Sequence, residues 1–291
     1  MKNLLEFLLF KIIASLFFFI SWNNCTSVGK ILGNFIFLAL KSRRLIAIEN
    51  LKFAFPNKNQ YEINLIAKES FQSISISFLE ILKISSLSEN KLKKIITIKN
   101  PENLESLLNP LKSCIILSSH FGNWELLASA LKIITKRKTL ILVQKQRNTF
   151  VDNFLNRNRK MFGCEITYLD DAPKNVLKNI NENNFIAMIA DQSARREELQ
   201  IDFFNRTAPT HRGPAIFSLK SDIPIIFIIL KRIGIGKYEL LFEKINSENL
   251  IGTNEEKIIE LTSRHVQVLE KYIIETPNQW LWGHKRWKHT I

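Results

Sequence analysis

Cys114-Ile115-Ile116-Leu117-Ser118-Ser119-His120-Phe121-Gly122-Asn123-Trp124-Glu125 is the stretch from which the architecture is read. Its first four residues form an apolar run of the length of a short buried strand. A turn containing Gly122 follows, and Leu126-Leu127-Ala128-Ser129-Ala130-Leu131 continues as a helix. Strand, turn and helix in this order put His120 at the carboxyl end of a strand and Glu125 in the first turn of the next helix. Open α/β sheets carry their chemistry at that edge. There a carboxylate can hold one imidazole nitrogen and leave the other free as a base. The spacing therefore names His120 as a candidate base and Glu125 as its orienting acid.

Outward from this stretch the pattern repeats. Glu62 to Phe78 has apolar residues at helical spacing, and Ser88 opens a further helix. Thr139 to Val143 is a second strand of the buried, parallel type, and Asn148 to Phe162 a helix ended by Gly163. Glu165 to Leu169 is a third strand, residues 173–182 a helix, and Phe185 to Ala190 a fourth strand that ends in Asp191-Gln192. Pro224 to Leu230 and Lys237 to Phe242 are two more strands, and residues 255–274 a long final helix. Alternation of strands and helices predicts an α/β fold with a mixed, mostly parallel sheet flanked by helices.

The bulk numbers narrow the class of function. A chain of 291 residues with 46% hydrophobic residues, 21 of them Phe, builds a real core and is not disordered. The net charge of +14 attracts nucleic acid, anionic membranes or acidic proteins, and says nothing about fold. Cys25, Cys114 and Cys164 are widely spaced, which argues against structural zinc and a disulfide framework. Cys114, inside an apolar strand, reads as a core residue.

From Leu4 to Trp22 the chain is mostly Leu, Ile and Phe, with Glu6 and Lys11 as its only charges. About 20 such residues suffice to span a bilayer, and Trp22 would sit at one interface. Ser21-Trp22-Asn23-Asn24-Cys25 offers no small-x-small cleavage site. Val28 to Leu40 is also apolar and ends in Lys41-Ser42-Arg43-Arg44, which suits an anionic leaflet. An anchor lying in the interface is the alternative to a span. The chain is accordingly divided into a membrane anchor (1–22), a juxtamembrane amphipathic region (23–60) and a catalytic domain (61–291).

Three strand ends carry polar groups: His120, then Lys145 to Arg147, then Asp191. Arg159 lies on the helix after the second strand. In a parallel sheet these ends converge on one edge. Each also has an ordinary structural reading: Asp191 as a turn or helix cap, Arg157 and Arg159 as a solvated helix face. The tail from Trp280 to Lys288, with Trp and Lys/Arg interleaved, reads either as a nucleic-acid patch or as an interfacial anchor.

These residues together resemble the secondary (late) acyltransferases of lipid A biosynthesis, within the lysophospholipid acyltransferase superfamily. Arg43-Arg44, Asn50-Leu51 and Phe55-Pro56 look like that family's entry motif, and His120-Phe121-Gly122-Asn123-Trp124-Glu125 like its catalytic histidine and acid. Arg159 with Gly163, Asp191-Gln192, Phe203-Phe204, Pro209-Thr210 and Gly213-Pro214-Ala215 follow in the family's order, and the Trp-rich tail is similar to its terminal signature. Where the family reads Tyr-Arg-Pro after the second strand, this chain has Gln144-Lys145-Gln146, which keeps a charge and loses bidentate geometry.

The resemblance implies a glycerolipid-acyltransferase-like fold and transfer of a fatty acyl chain from acyl-carrier protein to a hydroxyl of a lipid A precursor. No acyl-enzyme, metal or organic cofactor would be involved. His120 takes the hydroxyl proton, Glu125 orients the imidazole, and backbone amides between Gly122 and Trp124 are candidates for the oxyanion. Arg159 would bind phosphate or the oxyanion, and Asp191 would hold Arg159 or the acceptor sugar. Gln192, Lys145, Asn123 and Trp124 complete the expected substrate-binding set. Expected partners are acyl-carrier protein, a phosphorylated glycolipid and the anionic bacterial inner membrane, with the catalytic domain facing the cytoplasm and no nucleic acid bound. The alternatives are a same-fold enzyme acting on glycerophospholipid or another glycolipid, and a non-enzymatic basic membrane- or nucleic-acid-binding protein.

Overall fold

The computed structural model describes residues 19–288. A seven-stranded sheet occupies the middle, built from β1 (Ile96–Ile98), β2 (Ile115–Ser118), β3 (Thr139–Val143), β4 (Glu165–Tyr168), β5 (Phe185–Ile189), β8 (Ile225–Gly234) and β9 (Lys237–Lys244). Its order is β1-β9-β8-β2-β5-β3-β4. Every neighbouring pair is parallel except β8 with β9, a hairpin. A mixed, mostly parallel sheet is what the alternation of strands and helices predicts. A separate antiparallel pair, β6 (Leu199–Phe203) and β7 (Arg206–Thr210), was not read from the sequence as strands. It follows from local rules: Phe204 and Asn205 both take positive φ, 53° and 55°, and close a two-residue turn.

Strand β2 lies in the middle of the sheet and all four of its residues are buried. Its side chains alternate between two cores: Ile115 and Leu117 on one face, Cys114 and Ile116 on the other. Parallel strands covered on both faces are apolar throughout, which is why this segment shows no polar alternation.

Ten helices of the described residues cover the sheet: α1 (Asn24–Ala39), α2 (Lys41–Ala54), α3 (Gln60–Ile81), α4 (Glu89–Ile95), α5 (Pro101–Leu108), α6 (Trp124–Thr135), α7 (Thr149–Lys160), α8 (Ala172–Asn181), α9 (Gly213–Ser221) and α10 (Asn254–Glu275). The two longest begin with reciprocal capping boxes, Asn59/Glu62 on α3 and Thr253/Glu256 on α10. Helix α1 lies hard against α3, because a Cβ on Gly33 would stand 2.4 Å from the Gln72 Cα.

The apolar segment Leu4–Trp22 falls mostly outside the described residues. Among those described, no helix is long and apolar enough to cross a membrane. Trp22, expected at a lipid interface, is instead buried, and its indole N–H donates to the Gly236 carbonyl at 3.0 Å. The β8–β9 hairpin supplies that acceptor, so Trp22 is a packing residue.

Candidate active site

Parallel register builds the site. Ser118 of β2 pairs with Ile189 of β5, so two residues further on His120 and Asp191 leave the same sheet edge side by side. The Asp191 carboxylate grips His120 twice. Oδ1 lies 2.7 Å from the imidazole Nδ1, and Oδ2 accepts the His120 backbone N–H at 2.8 Å. The Trp280 indole donates to the same Oδ2 at 2.8 Å. Asp191 is buried, while 21% of the His120 side-chain surface stays open. Nε2 lies 3.4 Å from the Gln192 amide nitrogen, and the Trp124 ring packs edge-on against the imidazole at 5.2 Å.

Electrostatics reinforce the pair. Burial pushes the imidazole pKa down, but the Asp191 charge and hydrogen bond outweigh it, and the net shift is upward from the ordinary 6.5. Burial likewise raises the Asp191 carboxyl, but His120, with help from Trp280, holds it below the usual carboxylate value.

The expected partner of His120 is corrected here. Glu125 makes no hydrogen bond to His120 among the described residues and is gripped by Arg159, whose Nε and Nη2 donate to its two carboxylate oxygens at 2.9 and 2.6 Å. The remaining Arg159 nitrogen, Nη1, donates to Asn156 at 2.9 Å. Both Glu125 and Arg159 are buried. Asp191, expected to hold Arg159 or a sugar, holds the histidine. The two carboxylates have exchanged partners because the strand register fixes Asp191 opposite His120, whereas Glu125 projects from α6 toward α7.

Three further expected groups have other placements in the structure. Asn123 is fully buried; its Oδ1 caps α6 by accepting from Leu126 N at 3.0 Å, and its Nδ2 donates to Glu80 at 2.8 Å, so its amide is not available to a substrate. The amides of Gly122 and Asn123, expected as oxyanion donors, are committed to the carbonyls of Gln279 and Leu230 at 2.9 and 3.3 Å. Lys145 lies outside the cluster, exposed, with its Nζ 6.0 Å from the centroid of the Tyr168 ring.

Gly122 is where the turn is tightest. Its φ is +56°, and a Cβ would meet the Leu230 carbonyl oxygen at 1.9 Å. Gly122→Ala therefore displaces the loop and lowers stability by about 2–4 kcal/mol, to be read from denaturant unfolding.

The tail was the least legible part. Expected as an exposed basic-aromatic patch or an interfacial anchor, it is an internal strut: Trp280, Trp282, Arg286 and Trp287 are all buried. Its backbone runs antiparallel to the site loop, with Leu281 N donating to the His120 carbonyl at 3.2 Å. Asn50 of α2 donates to the Trp282 and His284 carbonyls at 2.8 Å each. The available signal was the density of Trp, since each such ring seeks cover for its face and an acceptor for its N–H.

Comparison with known proteins gives two findings. A family model described as bacterial lipid A biosynthesis acyltransferase matches residues 5–289. A Shigella flexneri protein named Lipid A biosynthesis acyltransferase 2 is 25% identical over 179 residues, which is 61% of this chain and 55% of that relative. The matched stretch thus spans about half the length of the relative.

Proposed function

The chain belongs to the bacterial lipid A biosynthesis acyltransferase family, and on that premise we propose that it moves a fatty acyl chain from acyl-carrier protein to a hydroxyl of a lipid A precursor. The observation that carries the mechanism is the Asp191–His120 hydrogen bond of 2.7 Å, made through Nδ1 of a partly exposed imidazole. Asp191 fixes the imidazole with its proton on Nδ1, so Nε2 is the lone pair that meets the acceptor hydroxyl. As that oxygen attacks the thioester carbonyl, its proton passes to Nε2. The tetrahedral intermediate collapses with cleavage of the C–S bond, and the imidazolium returns the proton to the departing thiolate. Asp191 stabilises the imidazolium throughout. Glu125 and Arg159 form a buried ion pair beside it, which positions the first turn of α6; the amides of Trp124 and Glu125 are the oxyanion donors this arrangement favours.

Helix α1 supports attachment to the anionic inner membrane, on its cytoplasmic face. Ile31, Phe35 and Leu38 are 70%, 67% and 69% exposed and recur on one side of the helix. Lys30, Lys41 and Arg43 are exposed near them. An apolar stripe flanked by cations suits a helix lying in the interface.

The test is mass spectrometry of products from purified full-length protein given acyl-carrier thioesters of mixed length and, in parallel, a lipid A precursor or a lysophospholipid. Addition of one acyl group to the precursor supports the reading. Acylation of the lysophospholipid alone assigns the enzyme to another acceptor. Because the base must be neutral and the net shift of its pKa is upward from the ordinary imidazole value, kcat/KM should climb with pH on a single acid limb. A profile with no acid limb would exclude His120 as that group.

A further inference from the structure

Asp191 also lines a small, partly open cavity with Ser118, His265 and Arg286 and a ring of apolar side chains. Its volume is about 10 Å³, close to the room one water molecule needs. All the residues that line it are buried. Ser118 Oγ, His265 Nδ1 and Arg286 Nε have no hydrogen-bond partner among the described residues. Two to four polar groups around one water-sized space is the setting in which proteins hold an internal water.

Arg286 carries the argument further. It is 1% exposed, and its Nη atoms donate to the Pro209 carbonyl at 2.5 Å and to Thr210 Oγ1 at 2.6 Å. It forms no ion pair among the described residues, yet a buried cation needs an anion. Burial pushes its pKa down to about 10 while the Asp191 charge raises it, so it remains a cation at neutral pH. The groups facing the His120–Asp191 pair are Glu125 of α6, Arg159 of α7, His211 after β7 with Glu198 beside it, and His284 and Arg286 of the tail. His265 of α10 faces Arg286. Glu125 and Arg159 neutralise each other. Burial drives His265 to about 3 and His284 to about 4, so both are uncharged. Arg286 is thus a buried cation that lines the same cavity as Asp191.

We propose that the cavity holds an ordered water joining Ser118, His265 and Arg286 beside Asp191, and that Arg286 acts through Asp191 as a positioning residue for His120. This rests on His120 as the base, but the first measurement does not. His120 is titrated by NMR of labelled histidine in the full chain, in wild type, Arg286→Gln and Arg286→Lys. Removing the cation takes a like charge away from the imidazolium, so the His120 pKa rises by about half a unit or more in Arg286→Gln. Arg286→Lys keeps the charge and stays close to wild type. An unmoved His120 in folded Arg286→Gln overturns the role of Arg286. If the pKa moves and the acid limb of acyl transfer does not, the base assignment fails and the inference stands. A high-resolution crystal structure of the wild type tests the water even if Arg286→Gln does not fold. One water within hydrogen-bond reach of at least two of the three atoms, displaced by His265→Phe, is expected; a dry cavity overturns the proposal.

Discussion

His120→Ala lowers kcat/KM for acyl transfer by about 10²–10⁴, the span typical of a lost general base. Circular dichroism remains near wild type, while thermal unfolding moves down because the buried Asp191 carboxylate loses its imidazole partner. Asp191→Asn is the sharper companion. It is nearly isosteric but removes the charge that holds Nδ1 protonated, so it should cost a loss approaching that of His120→Ala. Asp191 accepts three hydrogen bonds, from the His120 N–H, the imidazole and the Trp280 indole; asparagine keeps an acceptor for only some of them. Glu125→Gln separates the two carboxylates. It weakens the pair with Arg159, and its effect falls on stability and KM more than on the acid limb of the pH profile. Full turnover by folded His120→Ala removes the base from the mechanism. An acid limb displaced by Glu125→Gln and not by Asp191→Asn returns the orienting role to Glu125.

The largest expected loss of stability lies beneath the site loop. Glu80 of α3 is 0% exposed and takes two bonds from Arg232 Nη1, at 2.8 and 2.9 Å. Asn123 and the Tyr238 hydroxyl donate to the same carboxylate. Arg232 Nη2 in turn donates to Ser77 Oγ at 2.9 Å, and Ser77 Oγ to the Gly122 carbonyl at 2.8 Å. Glu80→Ala leaves a guanidinium and an amide buried without their anion, at a cost of about 3–5 kcal/mol in urea unfolding. Removing both charges in Glu80→Leu/Arg232→Met recovers much of that loss, because the desolvated cation goes with its partner. A single variant within about 0.5 kcal/mol of wild type would show that the cluster contributes little. The same cluster holds the turn from Gly122 to Asn123, so Glu80→Ala also slows acyl transfer.

The difference between the readable and unreadable parts of this protein follows sequence distance. Strands β2, β3 and β5 were legible as apolar runs ending in polar residues, and α6 as the helix after a glycine turn, because those signals are local. Asn123 was legible as part of a motif but not as a buried cap, since its second partner, Glu80, lies 43 residues away. The tail showed its Trp residues but not their burial, because composition does not distinguish a ring that meets lipid from one that meets a core. Trp22 failed in the same way.

For the opening stretch the division is equally plain. Sequence alone determined that His120 stands at a strand end, with a helix start and an acid close behind it, on a sheet edge that also carries Asp191 and with Arg159 on a following helix. Tertiary structure decided which acid serves the histidine. Glu125 is five residues away along the chain, Asp191 is 71. Parallel pairing of β2 with β5 converts that long separation into a contact of 2.7 Å, while the helical turn directs Glu125 to Arg159. Chain proximity sets which residues are neighbours in sequence, but strand register sets which side chains share a proton.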